Sequence, residues 1–183
     1  MQQKIILGLV GEIASGKGTI AAYLEKKYSA STYRFSTILR DILIRLHLPI
    51  NRKNMQLLST MLRKNFGEDT FAKIIAENVT KDDNKIIIVD GIRRLADIEY
   101  LTKIKDFKLV KVTSDPHVRY KRLLQRNENQ GDAQKSYEEF LSDHNKEADA
   151  EIPQVMKKAE IEINNSSSFE KLFQQIDKIV QKN

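Results

Sequence analysis

The sequence contains no cysteine. Disulfides, thiolate metal sites and cysteine nucleophiles are therefore excluded. No segment approaches the roughly 20 consecutive apolar residues that a membrane-spanning helix requires. Met1 to Val10 has no signal-peptide n-region, h-region or cleavage site and leads straight into strand-like sequence. A soluble, cytoplasmic chain is expected. There is no internal repeat, no low-complexity tract and no long linker. The three histidines, His47, His117 and His144, lack metal-ligand spacing, and no Ser-His-Asp set stands out.

A compact basic block is also missing, although the net charge is +6 and the pI about 9.4. Lysines and arginines are interleaved with acids along the whole chain. That distribution suits a solvated surface and a site for a polyanionic small molecule better than a nucleic-acid footprint. Nucleic acid is not expected as a partner, nor is a membrane; a monomer or a dimer is. The 183 residues, 40% hydrophobic, fit one domain with a real core.

Apolar runs and helical stripes alternate. Lys4 to Val10 and Ile86 to Val89 read as buried strands. Ser31 to Ser36, Leu109 to Val112 and Ile161 to Ile163 are further strands. Helices are expected over 18–28, 37–48, 54–65, 70–80, 96–104 and 117–126, over most of 136–158 with an interruption near Pro153, and over 169–180. Strands alternating with helices predict an α/β fold with a parallel sheet covered on both faces.

The first strand-to-helix junction carries Gly11, Ala14, Ser15, Gly16, Lys17, Gly18 and Thr19. Glycines allow backbone N–H groups to turn inward around phosphate oxygens, and the following helix adds its N-terminal dipole. Lys17 can reach the β- and γ-phosphates of ATP. The hydroxyl residue that often follows the lysine and contacts Mg²⁺ is Gly18 here. Mg²⁺ is therefore expected mainly on phosphate oxygens and water, with Thr19 on phosphate and as a secondary metal contact.

Asp90 ends the second apolar strand, where a carboxylate can orient Mg²⁺ through water or cap the next segment. Gly91, Arg93 and Arg94 follow, at the end of a parallel strand where ligands bind. Guanidinium forks suit phosphate, so at least one of these arginines is expected to bind the acceptor. Arg119, Arg122 and Arg126 lie on one predicted helix. They would either clamp the moving phosphoryl group or pair with Glu128, Asp132, Glu138 and Glu139.

These motifs resemble the nucleoside monophosphate kinases of the P-loop superfamily, especially the adenylate kinase-like group. They are also similar to the dephospho-coenzyme A kinase-like group with its uncharacterised archaeal and bacterial relatives. The resemblance covers nearly the whole chain. It rests on Gly16 to Thr19, on Phe35 to Arg40, on Asp90 to Arg94 and on Arg122 with Arg126. It implies a five-stranded parallel sheet of order 2-3-1-4-5, a helical acceptor-binding insert at about 37–70 and a lid at about 127–150 on a single domain, 1–183. It implies Ser36, Arg40, Gly91, Arg93 and Arg94 on the acceptor side, with Arg94 also catalytic. Lys17, Arg122 and Arg126 would act on the transferred phosphate, and Arg122 would touch ATP. The lid departs from the family. No arginine follows Arg126, so phosphate contacts from the lid would fall to lysines such as Lys135 and Lys146, to His144, or to no residue at all.

The expected activity is transfer of the γ-phosphate of ATP to a nucleoside or deoxynucleoside monophosphate. A dephospho-coenzyme A kinase or another small-metabolite kinase is the alternative, for which Asp41 or Asp90 could serve as base. A regulatory or nucleic-acid-associated NTPase is the alternative from another class. It has no use for two facing arginine clusters.

Overall fold

Strand β1 (Ile5–Val10) is buried along its whole length, as its uninterrupted apolar run requires, and the rest of the fold is built around it. The structure is a computed structural model and describes residues 4–126, 134–142 and 150–181. Helix α1 (Lys17–Tyr28) follows the first turn, then β2 (Ser31–Arg34), α2 (Phe35–Arg45), α3 (Arg52–Phe66) and α4 (Thr70–Lys81). Next come β3 (Ile86–Ile92), the short α5 (Leu95–Ile98) and a 3₁₀ turn at Leu101–Lys103. They are followed by β4 (Phe107–Thr113), α6 (Pro116–Arg126), α7 (Tyr137–Ser142), α8 (Ile152–Met156), β5 (Ile161–Asn164) and α9 (Phe169–Gln181).

The five strands form one sheet, β2-β3-β1-β4-β5, and every pairing is parallel. This is the order 2-3-1-4-5 that the resemblance implies. Side chains of β1 alternate between two cores. Ile6 and Val10 pack with Phe71, Ile75 and Val79 of α4 and with Ile152 and Val155 of α8. Ile5, Leu7 and Leu9 pack with Ile20 and Leu24 of α1 and with Leu172, Ile176 and Val180 of α9. Each such buried side chain contributes about 1.5–3 kcal/mol. A parallel sheet covered on both faces directs all its C-terminal strand ends to one side, which is where the candidate site lies.

Several boundaries differ from the sequence reading for identifiable reasons. β2 stops at Arg34, and Phe35 and Ser36 open α2. The chain leaves α2 at Arg45, three residues before the expected end, and His47 takes a positive φ of 54° ahead of Pro49. Asn51 caps α3 by accepting from the Asn54 N–H at 2.9 Å, so that helix begins earlier than expected. The expected helix over 96–104 is α5 plus a single 3₁₀ turn. Pro153 lies in the first turn of α8 and starts that helix rather than interrupting one. Of the lid at 127–150, residues 127–133 and 143–149, with His144 and Lys146, lie outside the described residues.

Candidate active site

The chain leaves β1 at Val10 and turns through residues 11–16 before α1 begins. Ala14 (φ 59°) and Gly16 (φ 104°) are both left-handed, on either side of Ser15. Such alternation turns successive N–H groups to one side and makes an anion-binding nest. The sequence reading credited only glycines with this, yet an alanine takes one of the two left-handed positions, at a cost of about 1–2 kcal/mol. Gly16 is required on two counts: its φ, and a Cβ that would stand 2.0 Å from Asn165 Nδ2. Asn165 Nδ2 in turn donates to the Ser15 carbonyl at 2.8 Å and holds the loop closed. At Gly18 a Cβ would meet nothing within 4 Å, so no steric demand accounts for glycine there. Thr19 lies in the first turn of α1.

Lys17 Nζ donates to the carbonyls of Gly11 (2.6 Å) and Glu12 (3.1 Å), so its ammonium sits over the loop. Ser15 Oγ is buried and has no hydrogen-bond partner. A buried orphan hydroxyl costs about 1–3 kcal/mol, and an anion's oxygen in the nest would relieve it. The loop therefore fits a phosphate ligand.

Val10 pairs with Ile92, so the nest and the Arg93–Arg94 segment leave the sheet side by side. Between these points β1 advances from Gly8 to Val10 while β3 advances from Val89 to Ile92. The additional β3 residue makes a bulge at Asp90 and Gly91, with Gly91 at φ 88°. The Asp90 carboxylate accepts from the Gly91 N–H at 2.8 Å and lies 3.5 Å from Arg34 Nε. It is one carboxylate, and the described residues hold no group of three or more His, Asp or Glu able to cage a metal. Mg²⁺ characteristically keeps several waters and binds through one or two carboxylates plus phosphates. The donor set fits that mode and no tighter one.

Arg93 is exposed; Arg94 is half-buried and its NH1 lies 2.9 Å from Glu68 Oε2. The backbone of both arginines is fixed by Asp97, whose Oδ2 accepts from their N–H groups at 3.0 Å each. Asp97 is itself buried and pairs through Oδ1 with Arg63 NH2 at 2.7 Å. On α2, Ser36 and Arg40 stand one turn apart and share a face, Ser36 half-buried and Arg40 exposed.

The arginine ladder on α6 divides. Arg119 is buried, with only 3% of its side chain exposed, and its NH2 meets Glu12 Oε2 of the loop at 3.0 Å. Its Nε donates to the Ser114 carbonyl and its NH1 to the Ile13 carbonyl. Burial pulls the pKa of this guanidinium below the usual arginine range, and Glu12 pulls it back up. Arg119 thus braces the loop from beneath, against Glu12 and two main-chain carbonyls. Arg122 is half-buried and reaches Ser114 Oγ (3.3 Å) and Asn165 Oδ1 (3.4 Å) beside the loop, its pKa also lowered by burial. Arg126 ends α6, and its side chain lies outside the described ones.

Residues 10–141 match the AAA domain family. The chain belongs to that family. This AAA-domain protein is 29% identical over 181 residues to a UPF0200 protein of Methanocaldococcus jannaschii, covering 97% of this chain and 89% of the relative. It is 28% identical over 184 residues to a UPF0200 protein of Pyrococcus abyssi, covering 97% and 96%. Its fold is shared with shikimate kinase from Bacteroides thetaiotaomicron (TM-score 0.63, 16% identity, 97% of each chain). It is also shared with a gluconokinase from Sinorhizobium meliloti (TM-score 0.60, 8% identity, 99% and 93%). The AAA-domain chain has the three-layer fold of the P-loop kinases. Among the described residues no helix is long and apolar enough to cross a membrane.

Four residues of the AAA-domain site were not picked out from the sequence: Glu12, Arg63, Asp97 and Asn165. Asn165 follows β5 in a polar run that reads as a simple turn. The other three carry charges of a kind that is ordinarily solvated, and only the folded chain brings their partners to them.

Proposed function

We propose that this protein is an ATP-dependent phosphotransferase that converts a nucleoside or deoxynucleoside monophosphate to the diphosphate. The observation that carries the reading is the register Val10–Ile92, which sets the phosphate nest and Lys17 beside Arg93 and Arg94. Two anion sites at adjacent strand ends suit a donor and an acceptor that are both phosphorylated. An attacking phosphate oxygen is already ionised at neutral pH, so no base is needed and catalysis rests on positioning and charge. In this reading the nest and Lys17 hold the β- and γ-phosphates, and Arg122 approaches the donor from α6. Arg94, with Arg93, Ser36 and Arg40, takes the acceptor. Mg²⁺, when bound with ATP, neutralises charge on the phosphates, and Asp90 would hold its waters. Helices α2 and α3 act as the acceptor-binding insert, and the lid excludes water.

A second reading is a kinase for a hydroxyl-bearing small metabolite. Its support is the likeness to shikimate kinase and gluconokinase. That reaction needs a base, and Asp90 is the better candidate because Asp41 is exposed on α2. The two readings separate in a coupled assay of ADP release with MgATP over ribo- and deoxyribonucleoside monophosphates, dephospho-coenzyme A, shikimate and gluconate. Release that depends on a nucleoside monophosphate supports the first. Release only with a hydroxyl acceptor supports the second. ATP hydrolysis stimulated by DNA or RNA, with no phosphorylated small product, would overturn both.

The strut at Arg119 yields a prediction for the same assay. Arg119→Met takes away the guanidinium that meets the Glu12 carboxylate in the phosphate loop. Like charges brought together in this way are costly, so the KM for ATP should rise about tenfold or more. Glu12→Gln combined with Arg119→Met removes the repulsion and should recover most of that loss. A double variant no better than the single one would mean that the pair acts only through packing.

A further inference from the structure

Arg63 lies in the last turn of α3, and 6% of its side chain is exposed. Its guanidinium stacks over the Phe71 ring at 4.9 Å and donates through NH1 to the Glu68 carbonyl. Asp97, equally buried, neutralises it. The Arg63–Asp97 pair is fixed in place by the backbone of Arg93 and Arg94, and Arg63 Nε is left buried without a hydrogen-bond partner.

Glu68 is different. It sits in the turn between α3 and α4, after Gly67 with its φ of 107°, and 58% of its side chain is exposed. Its Oε2 lies 2.9 Å from Arg94 NH1 and 3.9 Å from Arg63 NH1. One carboxylate oxygen is held between two guanidinium groups, each more buried than the carboxylate itself. An ion pair with a partner this exposed adds little to stability, so packing does not account for the arrangement. It is an anion bonded to one guanidinium, with a second cation close behind.

We propose that Arg94 and Arg63 form the binding fork for the acceptor's anionic group, and that Glu68 is an internal counter-ion which the acceptor must displace. The inference rests on the phosphotransferase reading and deepens it, since it adds Arg63 and Glu68 to the acceptor site. Arg94 is the arm that exchanges one anion for another. Arg63 stays on Asp97 and supplies the second positive centre behind it. Of the four side chains, the three other than Glu68 carry a net positive charge, which a phosphate dianion or a carboxylate on the acceptor would meet. With Glu68 in place they are neutral, and weak anions are turned away.

The test is calorimetric titration of inorganic phosphate, and of acetate as a carboxylate, into full-length protein saturated with MgADP so that the phosphate loop is filled. Glu68→Gln keeps shape and removes charge. It should bind phosphate about 3- to 10-fold more tightly than wild type with an unchanged Tm. The gain should vanish in Glu68→Gln/Arg94→Met. It should shrink in Glu68→Gln/Arg63→Lys, which keeps the charge but loses the planar fork. Tighter phosphate with unchanged acetate marks a phosphate-bearing acceptor; the reverse marks a carboxylate. Unchanged or weaker affinity for both anions in Glu68→Gln overturns the proposal, as does a gain that survives Arg94→Met. Failure of wild type to bind MgADP would instead count against the phosphotransferase reading, and the dependence on Glu68 in the same titration would still decide the fork.

Discussion

Lys17→Ala is expected to lower turnover about a hundred- to a thousandfold while leaving the fold intact. The ammonium sits at the mouth of the nest, bridging the Gly11 and Glu12 carbonyls. In the phosphotransferase reading, charge that develops on the transferred phosphoryl group is met there by a cation, and loss of one such preorganised donor costs about 10²–10³ in kcat. The structural cost is small because Lys17 is only half-buried, and water can reach the two carbonyls it leaves. Steady-state rates and thermal unfolding of the same variant check both halves of the expectation. A variant with wild-type kcat would remove Lys17 from the chemistry. A large fall in Tm would assign the lost activity to folding instead.

Asp97→Ala should destabilise the fold by about 3–5 kcal/mol. Three groups depend on that one carboxylate: the Arg63 guanidinium and the N–H groups of Arg93 and Arg94. Its removal leaves a guanidinium that is nine-tenths buried without its carboxylate. For a chain of this size the loss corresponds to a fall in Tm of roughly 6–20 °C. Asp97→Asn should fall between, because an amide oxygen still accepts from the backbone but carries no charge. Chemical or thermal denaturation measures the series. An Asp97→Ala variant within about 1 kcal/mol of wild type would show that solvent reaches Arg63 easily and that the ion pair does not hold this segment.

How far the sequence could be read depended on how local each signal was. The nest, β1 and the stripe of α9 are written in contiguous residues, and their reading agrees with the structure. The strand order is not local, and it followed from the family resemblance. Arg119, Arg122 and Arg126 were correctly put on one helix, but spacing says nothing of what that helix packs against. Arg119 turned out to lie beneath the loop, against Glu12. Asp97 stands in Leu95-Ala-Asp-Ile98, which looks like any helical turn with one solvated acid. Its partner Arg63 is 34 residues away, and nothing in either segment announces the other. Ala14 in a left-handed conformation is invisible for a different reason: alanine is the residue type that gives least warning of it.

The extra residue of β3 at Asp90 and Gly91 also bears on how this site could change over time. Side chains on a strand point alternately to opposite faces, and that bulge sets the phase in which β3 delivers its last residues to the crevice. Losing a single codon there would turn Ile92 about, while the upstream core contacts of Ile86 to Val89 stayed as they are. In the phosphotransferase reading, a one-residue insertion or deletion would therefore reset the crevice end of β3 at a stroke, where a point substitution changes one side chain.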